Sequence, residues 1–262
     1  MADYNSPVAR QTAGVGVIDA GLRAYMLRVY NYMLAGLALT GITSWVTYTL
    51  AVTNDAAQAA HLSNGAAAAL PGGLYLTSFG VTLFSGPLMW ILMLASLGLV
   101  FFLSFRISRM SLATARTTFL GYSALIGVTF ASIFVVYTYA SIAQVFFITA
   151  ATFGAMSLWG YTTRSDLTGF GSFLFMGLIG IVIASLVNLF FHSAMVTFVV
   201  SIIGVIVFTG LTAYDTQSIK EMYVAGDDGT VAGRKAIFGA LRLYLDFINL
   251  FLMILRLMGN RR

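Results

Sequence analysis

Cysteine is absent from this chain. That excludes disulfides, thiolate metal sites and a cysteine nucleophile, while saying little about compartment. Histidine occurs only as His61 and His192, too few for a multi-histidine metal centre. Charge is scarce as well. Only 9% of residues are Asp, Glu, Lys or Arg, where a soluble domain carries about 25%. Glu221 is the sole glutamate. No Gly-x-x-x-x-Gly-Lys phosphate loop occurs, and no Gly-x-Ser-x-Gly-like turn with a histidine partner lies in an apolar run. Neither an enzyme nor a bound cofactor is expected.

What fills the chain instead is hydrocarbon. Hydrophobic residues make up 59%, and the mean hydropathy is +0.90. These values place the chain among all-α polytopic membrane proteins. A span needs about 20 apolar residues. Seven such runs stand out, at about 25–50, 79–105, 117–138, 142–161, 170–191, 195–214 and 236–258. The expected organisation is a short polar arm over 1–24 and a single seven-helix bundle over 25–262. The joint between the third and fourth runs is tight, near Tyr139-Ala140-Ser141, without Gly or Pro. No cleavable leader is expected, because Arg10, Asp19, Arg23 and Arg28 precede the long apolar stretch.

The pI of about 9.6 does not point to nucleic acid, since no basic stripe with interleaved aromatics exists. The cations fall in alternate loops instead. Arg10, Arg23 and Arg28 precede the first run, Arg106, Arg109 and Arg116 follow the second, and Arg164 follows the fourth. Lys220, Arg234 and Lys235 follow the sixth, while the stretch 51–80 carries no Lys or Arg. The positive-inside rule therefore places the N-terminus in the cytoplasm. Arg256, Arg261 and Arg262 break the pattern. Either the last run crosses against the rule, which is the preferred reading, or it re-enters and returns. Small residues such as Gly36 with Thr40, and Gly180 with Ala184, have spacings that permit close helix approach. Packing is their simplest role.

Two carboxylates stand against this background. Asp215 ends the sixth run and Asp246 lies inside the seventh. An ionisable group in a span costs about 2.5–3.5 kcal/mol on insertion scales and marks a functional site by default. The two runs are consecutive, so the carboxylates can meet across one helix interface and share a proton. A cation could replace that proton. Calcium takes about 6–8 oxygens, of which Asp215, Asp246, Asn249 and backbone carbonyls supply a part, so any such site would be weak. Arg106 and Arg109 are the candidate counter-charges, able to latch a carboxylate from the loop after the second run. The plainer readings are a solvated Asp215, an Asp246 paired with Arg242 four residues earlier on the same helix, arginines that snorkel to headgroups, and an Asn249 that bonds between helices. Glu221, Asp227 and Asp228 read as solvated loop residues, with Gly226-Asp227-Asp228-Gly229 as a turn.

An intramembrane aspartyl protease also uses two aspartates on neighbouring helices, but only Tyr214-Asp215 fits its surroundings, since Asp246 follows Leu-Tyr-Leu rather than glycine. The segments Leu211-Thr212-Ala213-Tyr214-Asp215-Thr216-Gln217 with Lys220, and Leu243-Tyr244-Leu245-Asp246-Phe247-Ile248-Asn249-Leu250-Phe251 with Leu255-Arg256, resemble the Bax inhibitor-1 family, also called the transmembrane BAX inhibitor motif family. The seven-run layout is similar too. The resemblance implies a seventh helix packed centrally among six others. It implies a pH-sensing calcium leak gated by Asp215 and Asp246, with Arg106 or Arg109 as latch. Bacterial members are inner-membrane proteins, and some associate with a membrane-anchored protease. The short loops here look bacterial, so a cell-death role is not carried over. The expected partners are the lipid bilayer, protons and calcium as the transported ion. The alternative expectation is a non-conducting protein that modulates a membrane protease.

Overall fold

A computed structural model describes residues 20–62 and 65–262. Arg10 and Asp19 of the expected polar arm lie outside the described residues.

Helix α1 (Ala20–Ala51) leads into a small antiparallel sheet of β1 (Val52–Thr53), β2 (Ala69–Leu70) and β3 (Leu74–Leu76), in the order β1-β3-β2. The turn between β2 and β3 uses Gly72 and Gly73, with φ of 79° and 73°, a region where side chains are disfavoured. A short α2 (Ser78–Phe84) follows. The chain then continues through α3 (Leu88–Arg106), α4 (Leu112–Val136), α5 (Tyr139–Thr162), α6 (Thr168–Phe191), α7 (Ala194–Glu221) and α8 (Gly229–Met258).

Seven of these helices, all but α2, are long and apolar enough to cross a membrane. The second expected span differs from its outline. The run 79–105 is broken at Pro87, whose ring lacks a donor and suits the start of a helix rather than its interior, so α2 and α3 are separate. The tight joint falls one step earlier than expected, at Tyr137 and Thr138. There the Thr138 hydroxyl accepts from Ser141 N and caps α5, which explains a turn without Gly or Pro. The loop 51–80 is not featureless, because it folds into the sheet and α2.

Burial is concentrated in α8. Its apolar window is 72% buried, against 11–39% for the other six. Leu243, Tyr244 and Leu250 are fully enclosed. Large side chains on the outer helices, such as Phe105, Phe190 and Phe191, are instead exposed, as a lipid-facing surface requires. The seventh helix is thus central. Edge-to-face rings of Phe119 and Tyr122 pack on Tyr244 at 5.8 and 5.9 Å. The Tyr244 hydroxyl meets Thr40 Oγ1 at 2.7 Å, and Thr40 also donates to Ser123 O.

The bundle has two ends. The first holds the start of α1, the α3–α4, α5–α6 and α7–α8 connections, and Arg23, Arg28, Arg106, Arg109, Arg116, Arg164, Lys220, Arg234 and Lys235. The second holds the sheet, the α4–α5 and α6–α7 turns, and the C-terminus. Helix α8 runs unbroken between them, and Arg261 bridges Tyr137 at the second end. The last helix therefore runs the length of the bundle rather than turning back to the first end.

Gly36 serves packing as expected, since a Cβ there would lie 2.8 Å from the Phe119 ring of α4. Gly180 does not, for a Cβ there would meet nothing within 4 Å. Gly160 lies at a close crossing of α5 on α7, where an added Cβ would collide with the Ala213 carbonyl. Backbone cannot yield as a side chain can. Gly160→Ala should therefore cost about 1–3 kcal/mol through overpacking, read as a lower thermal midpoint in detergent. Gly154→Ala on the same helix, where a Cβ meets open space, should leave the midpoint unchanged.

Candidate functional site

Asp215 and Asp246 do face each other. Asp215 lies about 9 Å before the end of α7, at the helical rise of 1.5 Å per residue. Asp246 sits opposite on α8. Both are buried, at 8% and 5% exposure. Both side chains line one cavity, and Asp246 Oδ2 is buried with no hydrogen-bond partner among the described residues.

The counter-charge comes from Arg242, not from the expected loop. Its guanidinium takes Asp215 in a two-pronged grip, with Nε donating to Oδ2 at 3.2 Å and Nη2 to Oδ1. Nη1 donates to Ser218 Oγ at 3.1 Å. Asp215 and Ser218 lie one turn apart on α7, so one planar fork spans both. The intrahelical Arg242–Asp246 pair considered from the sequence is therefore not the one formed. The partner across the interface takes the flat donor edge of the guanidinium with both carboxylate oxygens. Tyr214 lies under the guanidinium, 6.0 Å from carbon to ring centroid, and packs against Gly171 of α6.

Arg106 and Arg109 are exposed and stand apart from both carboxylates. Among the described residues the ion pairs are Arg242–Asp215 and Lys235–Asp227. Arg234 donates to Met110 O at 3.0 Å, tying the loop after α3 to α8 instead. Asn249 does not bond between helices, for its Nδ2 donates to Leu245 O on its own helix at 2.8 Å. Asp227 and Asp228 are not merely solvated. Asp227 holds Lys235 at 2.6 Å, and Asp228 Oδ1 caps α8 by accepting from Thr230 N and Val231 N.

Beside the pair lies a cavity of about 580 Å³ between α6, α7 and α8, lined by Ser172, Phe175, Tyr214, Asp215, Arg242, Asp246 and Asn249 among others. Toward the second end α7 and α8 close. A Cβ at Gly204 would lie 2.7 Å from Met253 Cγ, and Val207, Phe208 and Met253 are buried. A resident calcium ion does not fit this arrangement. Both Asp215 oxygens are engaged by Arg242, and no group of three or more His, Asp or Glu side chains converges among the described residues.

Comparison with known proteins bears on this geometry. Residues 22–262 match the family described as inhibitor of apoptosis-promoting Bax1. The chain belongs to the Bax inhibitor-1 family. Among its relatives, the Escherichia coli inner membrane protein YbhL is 48% identical over 93% of this chain and 94% of its own length. A Rickettsia prowazekii protein is 43% identical over the whole of both chains, and one from Deinococcus radiodurans is 40% identical over 92% of each. Within the family fold, the site residues that sequence reasoning passed over are Ser218 and Gly171. The signal for Ser218 was its spacing, one turn after Asp215.

Removing Arg242 leaves two carboxyl groups without compensation. Breaking a fully buried pair costs about 3–5 kcal/mol, and a half-buried arginine should give about 1–3 kcal/mol. Arg242→Gln should thus lower the thermal midpoint at neutral pH. Adding Asp215→Asn should recover part of that loss, because the groups act together. Strictly additive losses would show that the two side chains are not coupled.

Proposed function

We propose that this protein is a passive, pH-sensitive leak for calcium or a similar cation across the bacterial inner membrane, with Asp215 and Asp246 as gate and proton sensor. One observation carries the reading. Of two carboxyl groups beside one cavity in an apolar bundle, Asp215 is held by a guanidinium, and Asp246 has a buried oxygen with no partner among the described residues. One guanidinium balances one carboxylate. The second carboxyl is neutral only with a proton bound, or balanced only with a cation beside it.

The sign of the pH response follows. At lower pH a shared proton joins the carboxyls and holds α7 against α8. As pH rises the proton leaves, the two charges repel, and the helices part. Arg242 and Tyr214 are the other ionisable groups at the pair, and Arg242 acts as the latch here in place of Arg106 or Arg109. Opening must also separate Met253 from Gly204, the contact that closes the bundle toward its second end. Calcium is cargo in this scheme, meeting the carboxylates only after Arg242 has swung away. The arginine and lysine excess at the first end supports a cytoplasmic placement of that end. The relative's designation as an inner membrane protein supports the location.

The test is calcium uptake into liposomes that hold the purified protein and a trapped dye, from mildly acid to mildly alkaline pH. Uptake should rise with pH. Asp215→Asn and Asp246→Asn should each flatten that dependence. A flux in Asp215→Asn with an unchanged pH response overturns the gate, and no flux above protein-free liposomes overturns the leak.

A further inference from the structure

The arginines that break the charge pattern are not loose at the second end. The tail is bonded to the α4–α5 turn by its backbone. Thr138 N donates to Asn260 O at 3.1 Å and Arg262 N to Val136 O at 3.0 Å, while Asn260 N donates to Ser141 Oγ at 2.9 Å. Gly259 permits this approach, since a Cβ there would lie 2.6 Å from the Tyr137 ring. The Arg261 guanidinium rests over that ring, 6.0 Å from its centroid.

Thus held, Arg261 joins Arg256 of α8 in lining a cavity of about 560 Å³ between the α6–α7 turn and the end of α8. His192 lines it too, while no acidic side chain is among the described residues that do. Neither arginine has an ion-pair partner among the described residues. Asn188 is already committed, for it donates to Thr197 Oγ1 and accepts from Ser193 N to brace the turn. Leu189, Phe198 and Val200 also line it, the first two exposed on the outer surface of the bundle. The cavity therefore combines two guanidinium groups, unpaired among the described residues, with apolar side chains open to the outer surface.

We propose that this cavity binds a phosphate group, with Arg256 and Arg261 as its ligands. Guanidinium forks match phosphate oxygens in pairs. The exposed Leu189 and Phe198 beside the arginines are suited to the first carbons of a lipid chain, and a free phosphate would satisfy the same arginines. This site lies at the opposite end from the carboxyl pair and stands whether or not the protein conducts.

The purified protein in detergent is offered phosphatidylglycerol and phosphatidylcholine in equal amounts, and the bound lipid is counted by native mass spectrometry. In parallel, its thermal midpoint is read in inorganic phosphate and in chloride at matched ionic strength. Charge-assisted contacts of this kind should favour phosphatidylglycerol by roughly tenfold. That preference should vanish in Arg256→Gln with Arg261→Gln, and fall in Arg256→Gln alone, which alters only an exposed position of α8. Arg262→Gln, outside the cavity, should keep it. A midpoint raised by phosphate in the wild type and not in the double variant, without lipid preference, also supports the site and names free phosphate as its occupant. A wild type that distinguishes neither lipid nor anion overturns the proposal, as does a preference that Arg256→Gln leaves intact.

Discussion

The structure depends on placing two carboxyl groups and one guanidinium where water is scarce. Hydrocarbon gives an ionised group nothing to bond, so such groups must face protein or a wet cavity. Here that requirement fixes the bundle. Asp246 stands on the one helix that is enclosed by others, and Asp215 on the helix packed beside it. Arg242 lies one turn nearer the first end than Asp246, half-buried, so its stem can cross the interface while its head reaches both Asp215 and Ser218. A carboxylate on an outer face of α3 or α6 would meet lipid instead. The central position of α8 and the presence of the pair are thus two aspects of one constraint.

The other polar groups obey the same constraint at smaller scale. Hydroxyls bond carbonyls one turn back on their own helices, as Thr149, Thr212 and Thr216 do, or join across helices, as Tyr30, Ser157 and Thr216 do at 2.7 and 2.9 Å. Gln217 reaches from α7 to Leu167 N and Ser165 O, closing the α5–α6 connection. Interhelical hydrogen bonds in membranes average about 0.6 kcal/mol, so these contacts set register more than they hold the helices together. Close packing does the holding, through small residues such as Gly36 and Gly160 that let backbones approach.

The fold was largely legible because its signal is redundant. Each span repeats the same message over some 20 residues, and a wrong assignment at one position changes little. The pairing of Asp215 with Asp246 was legible for a different reason, since carboxylates are so few in the apolar runs that consecutive ones have little choice of partner. The partner of Asp215 was not. Arg106, Arg109 and Arg242 are all placed by sequence near the same end, and choosing among them requires the rotation of α8 about its axis. Helix α8 is amphipathic, so hydropathy marks its buried face, but not which carboxylate on a neighbouring helix its arginine meets. The cap at Thr138 and the roles of Asp227 and Asp228 were missed because one hydroxyl or carboxylate reads alike whether it bonds water or a backbone amide.

The C-terminal arginines lie at the end of the bundle opposite most of the other cations, and the structure gives a local reason for their position. The positive-inside rule describes the cost of moving cations across a membrane, summed over loops. It does not say what a cation meets on arrival. The first end of the bundle holds most of the cations, and Arg256, Arg261 and Arg262 lie at the second. There the tail of α8 is fixed by backbone bonds to a turn between two other helices, so Arg261 does not remain a free terminal charge. Arg242 and Arg256 then occupy the same central helix in opposite circumstances. The first has its carboxylate within the protein. The second has none among the described residues, and its exposed guanidinium beside a cavity is open to a counter-charge from outside the chain.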